Sequence, residues 1–107
     1  MKEIIINNTI YRYGQNAADN TQLIKDSDKN WHWFHLEKFS SCHVVICREG
    51  DLTNEEILEA SRLVKEHSKY KFKNIGINYC LIKNLIHGKK SGSVSFVSFG
   101  QVKKINL

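Results

Sequence analysis

The chain has 107 residues, 41% of them hydrophobic and 25% charged, which is typical of one globular domain and excludes a disordered or fibrous protein. No apolar run reaches the roughly 20 residues that a membrane-spanning helix needs, and the first residues lack the apolar stretch of a secretory signal. Three cysteines without a dense pattern do not indicate a disulfide scaffold. We therefore expect a single domain over 1–107, cytoplasmic, with free thiols.

The first third of the chain predicts a hairpin, a short helix and a strand. Two β-branched runs, Glu3–Asn7 and Thr9–Tyr13, flank the pair Asn7-Asn8. Because asparagine tolerates a positive φ, this pair can close a tight hairpin turn. A short helix then extends to about Ile24, and Trp31–Glu37 has the composition of a strand.

The central part of the chain predicts another strand and a longer helix. Ser41–Arg48 alternates in the manner of a strand and follows the previous strand after a short connection. Thr53 and Glu56 have the spacing of a capping box, in which each side chain accepts a hydrogen bond from the other residue's backbone amide. The helix is expected to run from Asn54 to about Ser68.

The last third predicts three strands. Ile75–Ile82 is the first, and Ser93–Phe99 with Gln101–Leu107 form a hairpin that turns at Gly100. The order ββαββαβββ with short connections favours an α+β fold. We expect a mainly antiparallel sheet with two helices packed on one face.

Charge is distributed unevenly along the chain. Residues 1–66 hold eight basic and eleven acidic side chains, whereas 67–107 hold eight lysines and no acid, so that a total of +5 divides into −3 and +8. An AT-rich genome explains many lysines but not the absence of acids from the last part. Such a chain can present a cationic face to nucleic acid, an acidic protein or anionic lipid.

Six lysines near the fifth predicted strand are the candidate phosphate contacts. Between 69 and 73, lysines alternate with Tyr70 and Phe72, a pattern that can bring ammonium groups to phosphates and rings to bases. The alternative is a solvated lysine edge whose two rings fill the core. The six are Lys69, Lys71, Lys73, Lys83, Lys89 and Lys90.

His35 and His43 lie on two strands joined by a short connection, so their rings share one face if those strands pair. Neutral imidazoles can hydrogen-bond bases or sugars, and protonated ones can hold phosphate. Together with a lysine they could also cleave RNA by general acid–base catalysis. The structural alternative is a hydrogen-bond network that fixes the connection at 38–40.

Other chemistries have weaker signals. The segment Gly88–Gly92 lacks the spacing of a Walker loop, so nucleotide hydrolysis is not indicated. A metal site is not expected, because the spacing of the candidate ligands matches no usual zinc pattern. Those candidates are His32, His35, Cys42, His43 and Cys47. No cofactor is predicted.

Several segments, taken together, resemble the NFACT RNA-binding domain, the C-terminal module of factors that act on stalled large ribosomal subunits. They cover nearly the whole chain in the family's order. The matching segments are Gly14–Asn20, Trp33–Leu36, Ser41–Ile46, Ser68-Lys69, Asn78-Tyr79, Lys83–Leu85 and Gly88–Gly92, with Val94 and Phe96 after them.

The resemblance implies a standalone, non-enzymatic nucleic-acid-binding module related to ribosome quality-control factors. Its ligand would be RNA more than DNA, of transfer or ribosomal type, with single-stranded or structured RNA preferred over duplex DNA. The ribosome or an acidic protein is a further possible partner, and a membrane is not expected. The open alternatives are a protein-interaction adaptor that uses the basic face and a small metal-independent ribonuclease.

We expect the lysines to hold phosphates, with His35, His43 and Tyr79 nearby to orient the backbone or the bases. Arg12, on the first hairpin, and Trp31, after a polar turn, complete the predicted site.

Overall fold

A six-stranded antiparallel sheet forms the centre of the fold in the computed structural model, which describes residues 1–107. The elements are β1 (Lys2–Ile6), β2 (Thr9–Tyr13), α1 (Ala17–Lys25), β3 (His32–Leu36), β4 (Val44–Ile46), α2 (Asn54–Glu66), β5 (Gly76–Leu81), β6 (Leu85–His87), β7 (Val94–Phe96) and β8 (Lys103–Asn106). The large sheet has the order β1-β2-β4-β3-β5-β8, and β6 pairs with β7 in a separate two-stranded sheet. Neither helix is long and apolar enough to cross a membrane.

The α+β class and the antiparallel sheet are confirmed, together with two local signals. Asn7 and Asn8 have φ values of 49° and 66°, the positive values that a type I′ hairpin turn requires. The capping box of Thr53 and Glu56 is complete, with both reciprocal hydrogen bonds present. These features depend on neighbouring residues only, which is why the sequence predicts them well.

The prediction that both helices pack on one face is wrong, because α1 and α2 cover opposite faces of the sheet. Leu23 of α1 belongs to a buried cluster with Trp33 and Val45. The residues next to them on the strands, Phe34 and Val44, point the other way and pack against α2. Both faces of β3 and β4 are apolar, so each face needs its own helix.

The predicted hairpin through Gly100 is also wrong, because its two halves pair with other strands. β7 pairs with β6, and β8 pairs with β5, where Ile105 lies opposite Ile77. The side chain of Asn84 accepts a hydrogen bond from Ser98 N and donates one to Ser98 O, both at 3.0 Å. These two hydrogen bonds hold the segment between β7 and β8 against Asn84, so the segment does not form a hairpin turn.

Gly14 follows β2 at a point where a side chain would not fit. Its amide donates to the carbonyl of His43, and the side chain of Asn20 accepts from the amide of His43 at 3.1 Å. A Cβ at Gly14 would lie 2.0 Å from Oδ1 of Asn20 and 2.9 Å from its Cα. The glycine therefore lets α1 approach the start of β4.

We expect Gly14→Ala to lower the free energy of unfolding by about 1–3 kcal/mol, because the added methyl group must displace Asn20. Urea denaturation measures this change. Gly100→Ala is the matched control, because the nearest atom to its Cβ is Ser98 Oγ at 3.8 Å. Equal stability of the two variants would contradict the close approach at Gly14.

Candidate nucleic-acid interface

An open groove of about 1250 Å³ lies where β2 ends, β3 ends and β4 begins. One wall comes from residues 13–20, which include the start of α1. The loop between β3 and β4 and the segment 67–70 after α2 form a second wall, and residues 90–96 form a third. The walls of the groove therefore come from four segments that are distant in sequence.

His35 and His43 share the floor of this groove. β3 and β4 pair, so the two rings lie on one face, with centroids 4.7 Å apart at an interplanar angle of 81°. The His35 ring also stacks parallel to the indole of Trp33, at 5.6 Å and 5°. The predicted pairing of the two histidines is thus present, and both rings contact a buried tryptophan.

Hydrogen bonds fix the orientation of both imidazoles. Nε1 of Trp33 donates to Nδ1 of His43 at 3.1 Å, so Nδ1 of His43 carries no proton. Nδ1 of His35 lies 2.6 Å from the carbonyl oxygen of Leu36. A carbonyl oxygen only accepts, so Nδ1 of His35 donates, and in the neutral ring Nε2 carries the lone pair.

Burial keeps both histidines neutral. Burial lowers the pKa of His43 to about 3, with the nearby His35 adding to this effect and the backbone of Gly92 opposing it. Burial also lowers the pKa of His35, while the main chain of Leu36 and Ser41 acts in the opposite direction. Neither histidine is therefore positively charged near neutral pH, so neither can bind a phosphate as an imidazolium.

The formal charge of the groove is positive. The charged side chains along it are Lys38, Lys69, Lys90 and Glu37, which gives a formal charge of +2 with the histidines counted as zero. Glu37 is itself paired, with its Oε2 3.6 Å from Nζ of Lys104 on β8. The three lysines are exposed, so their ammonium groups can reach a polyanion along the rim.

Aromatic rings stand on the wall next to Lys38 and Lys69. Phe39 stacks on Tyr70 with centroids 4.2 Å apart, and Phe72 meets Phe39 edge-on at 5.8 Å. Tyr70 packs against the core on the α2 side, whereas Phe72 is 51% exposed. The two interpretations of the 69–73 segment therefore divide between the rings: Tyr70 packs in the core, and Phe72 is exposed beside the groove but does not line it.

The structure brings two of the six predicted lysines, Lys69 and Lys90, into the groove. Lys71 donates instead to the carbonyls of Lys65 and Glu66, at the C-terminal end of α2. Lys83 follows β5 at the opposite end of the sheet, beside Lys29. The other two, Lys73 and Lys89, are exposed but do not line the groove.

Three further predicted residues lie away from the histidines. Tyr79 stacks on Phe34 at 4.9 Å, on the face that α2 covers. Arg12 lies 5.6 Å over the ring of Trp31 and donates to Glu3. The structure does not gather these side chains into the groove.

Sequence reasoning missed four groove residues, Lys38, Phe39, Asn78 and Phe96. Asn78 lies directly opposite His35 in the β3–β5 ladder, so strand register would have found it. Lys38 and Phe39 sit in the loop that connects the two histidine strands, so their proximity to His35 was visible in the sequence. Phe96 belongs to the residues that resemble the family, but it was not placed in the site, because its strand was assigned to the wrong hairpin.

Comparison with known proteins assigns the chain to a family. The family model described as the NFACT protein RNA binding domain matches residues 5–104. The chain belongs to this family. The match confirms the resemblance seen in the sequence and identifies the chain as a nucleic-acid-binding module.

Two individual proteins resemble this NFACT RNA-binding domain. Coiled-coil domain-containing protein 25 of Danio rerio is 31% identical over 108 residues, which cover 92% of this chain and 50% of that protein. This chain thus spans half the length of the curated relative. The C-terminal part of the fibronectin/fibrinogen-binding protein from Streptococcus suis has a TM-score of 0.87 at 23% identity, over 98% of this chain and 44% of that chain. At that identity the similarity shows the shared fold.

We expect the stability of the domain to fall as the pH drops below about 6.5, because His43 is neutral in the folded state and can take up a proton once unfolded. Its pKa is lowered from 6.5 to about 3, so the loss accumulates across that interval. His43→Asn keeps an acceptor for Trp33 and does not titrate. It should reduce the pH dependence by up to about 1.4 kcal/mol per pH unit.

Urea denaturation at about pH 7.5 and about pH 5 measures this slope. His43→Phe is the companion variant, because it also does not titrate but leaves the indole N–H of Trp33 without a partner. It should be less stable than His43→Asn by about 1–3 kcal/mol at neutral pH. A wild-type slope in both variants would contradict the assignment to His43.

Proposed function

We propose that this domain binds RNA in the groove, with Lys38, Lys69 and Lys90 on the phosphates. The observation that carries the proposal is the arrangement of three exposed lysines around a recessed floor of neutral rings. Lysine is a donor with a mobile positive charge and no base preference, which suits contacts to a backbone. The family of the domain supports RNA as the nucleic acid.

The preferred form in this proposal is a single strand or a structured RNA with unpaired nucleotides. The histidine floor and the ring of Phe72, which lies just outside the groove against Phe39, offer hydrogen-bonding and stacking groups, which unpaired bases can reach and paired bases cannot. Cytoplasmic transfer or ribosomal RNA meets this description, and the proposal extends to a role related to that of ribosome quality-control factors. The supporting features are the recessed floor and the exposed ring.

The domain would bind RNA without cleaving it. General acid–base cleavage by two histidines needs one of them protonated and both within reach of the substrate. His43 is 1% exposed and its Nδ1 is occupied by Trp33. Incubation of the pure domain with labelled RNA should therefore leave the RNA intact on a denaturing gel.

Lys69→Ala and Lys90→Ala should each weaken RNA binding, because each removes one phosphate contact. The slope of log K against log salt should become shallower by about 0.7 per lysine on a single strand. Fluorescence anisotropy of a labelled single-stranded RNA between about 50 and 200 mM salt measures both quantities.

Lys83→Ala is the matched control for these variants, because it removes the same charge at the far end of the sheet. It should leave the salt slope unchanged. An equal effect of all three substitutions would mean that RNA contacts the whole basic surface, which would overturn the groove as the binding site. Binding to an acidic protein with no RNA binding would favour the adaptor alternative.

A further inference from the structure

The floor of the groove holds a hydrogen-bond acceptor whose position the protein fixes, namely Nε2 of His35. We propose that this atom accepts a hydrogen bond from a ribose 2′-hydroxyl and thereby selects RNA over DNA. The inference rests on the proposed function of the groove, and it adds a residue and an atom that distinguish the two nucleic acids.

Three contacts fix the His35 ring. Its Nδ1–H donates to the carbonyl of Leu36 at 2.6 Å, and its face lies parallel to Trp33. The edge contact with His43 closes a third side. The ring therefore can neither flip nor exchange tautomers without losing the bond to Leu36, so the lone pair stays on Nε2.

Of the two histidines, only His35 can offer a ring nitrogen to a ligand. Its side chain is half-buried and lines the groove, and its one hydrogen bond of regular geometry within the protein is the bond from Nδ1 to Leu36. His43 has its Nδ1 engaged with Trp33 and is almost fully buried. The pair thus divides into a supporting ring and a ring that faces the ligand.

The chemistry of the groove indicates what this acceptor meets. Lys38, Lys69 and Lys90 can only donate, and a phosphodiester can only accept, so lysines and phosphates satisfy each other. A neutral imidazole acceptor among them needs a donor from the nucleoside. The 2′-hydroxyl is the donor that adjoins the phosphate chain in every ribonucleotide and is missing from DNA.

The test compares oligouridine with 2′-fluoro-oligouridine of the same length. Uridine tracts have little structure of their own, and fluorine removes the hydroxyl donor while keeping a ribose-like sugar conformation. The wild-type domain should bind oligouridine about two- to tenfold more tightly, the range expected for one net hydrogen bond. Equal affinity for the two strands would overturn the inference.

Two substitutions separate ligand contact from a structural role. His35→Gln places an amide oxygen near the position of Nε2 and gives up the bond to Leu36. His35→Asn keeps a donor near the position of Nδ1 and removes the acceptor from the groove. The preference for oligouridine should persist in His35→Gln and disappear in His35→Asn.

The opposite result, with the preference kept in His35→Asn and lost in His35→Gln, would show that the bond to Leu36 matters and would overturn the inference. Loss or retention of the preference in both variants would overturn it as well. Thermal melting of each variant confirms that it is folded, and the wild-type comparison needs no variant.

The outcomes also separate this inference from the proposed function. If the wild-type domain binds both strands equally, RNA binding in the groove stands and only the role of His35 fails. If it binds neither strand at any salt concentration, the proposed function fails first.

Discussion

The hydrogen bond from the indole of Trp33 to the imidazole of His43 supports both the core and the groove. The two residues are 2% and 1% exposed, so neither polar group can turn to water. A buried donor or acceptor without a partner lowers the free energy of unfolding by about 1–3 kcal/mol. The hydrogen bond between the two residues avoids this penalty for both of them. The bond also sets the tautomer of His43, and the main chain of His43 in turn holds Asn20 of α1 and Gly14. One side-chain contact thus joins β3, β4, α1 and the end of β2.

The walls of the groove depend on this centre. His35 stacks on Trp33, so the floor is an extension of the buried aromatic layer to the surface. The third wall is tied to α1, because the amide of Gly92 donates to the hydroxyl of Thr21 at 2.7 Å. Gly92 has a φ of +81° and its Cβ position lies 3.1 Å from Ala17, so a side chain there would push the wall outward. The cavity is accordingly built into the fold, which favours a preorganised ligand site over one that forms on binding.

The sequence predicts local features of this molecule better than distant ones. The asparagine turn, the capping box and the pairing of the histidine strands each follow from residues close together in the chain. The error over the helices has a visible cause, since the apolar run Val44–Ile46 is typical of a strand buried on both faces. The pairing of β8 with β5 gave no such signal, because it depends on a contact between residues nearly thirty positions apart.

The lysines of the groove likewise could be predicted only in part from their positions in the sequence. Lysine density along 69–90 identified Lys69 and Lys90, but it also included Lys71, whose ammonium group neutralises the carbonyl end of α2. Without that cap, the negative end of the helix dipole would face a polyanion in the groove. Lys38 contributes from a part of the chain that is acidic on balance, so no window of sequence contains the cationic rim.

Acidic and basic side chains lie at opposite ends of α2. Glu55, Glu56 and Glu59 lie at the N-terminal part of α2, beside Thr9 at the far end of β2 from the groove. Arg48 pairs with Glu56 there and lowers the pKa of that carboxyl group to about 2, so the cluster stays ionised. The segment after α2 supplies Lys69 to the groove. A polyanion that approaches is therefore repelled from one end of this helix and attracted to the other, which steers it to the groove before any contact forms.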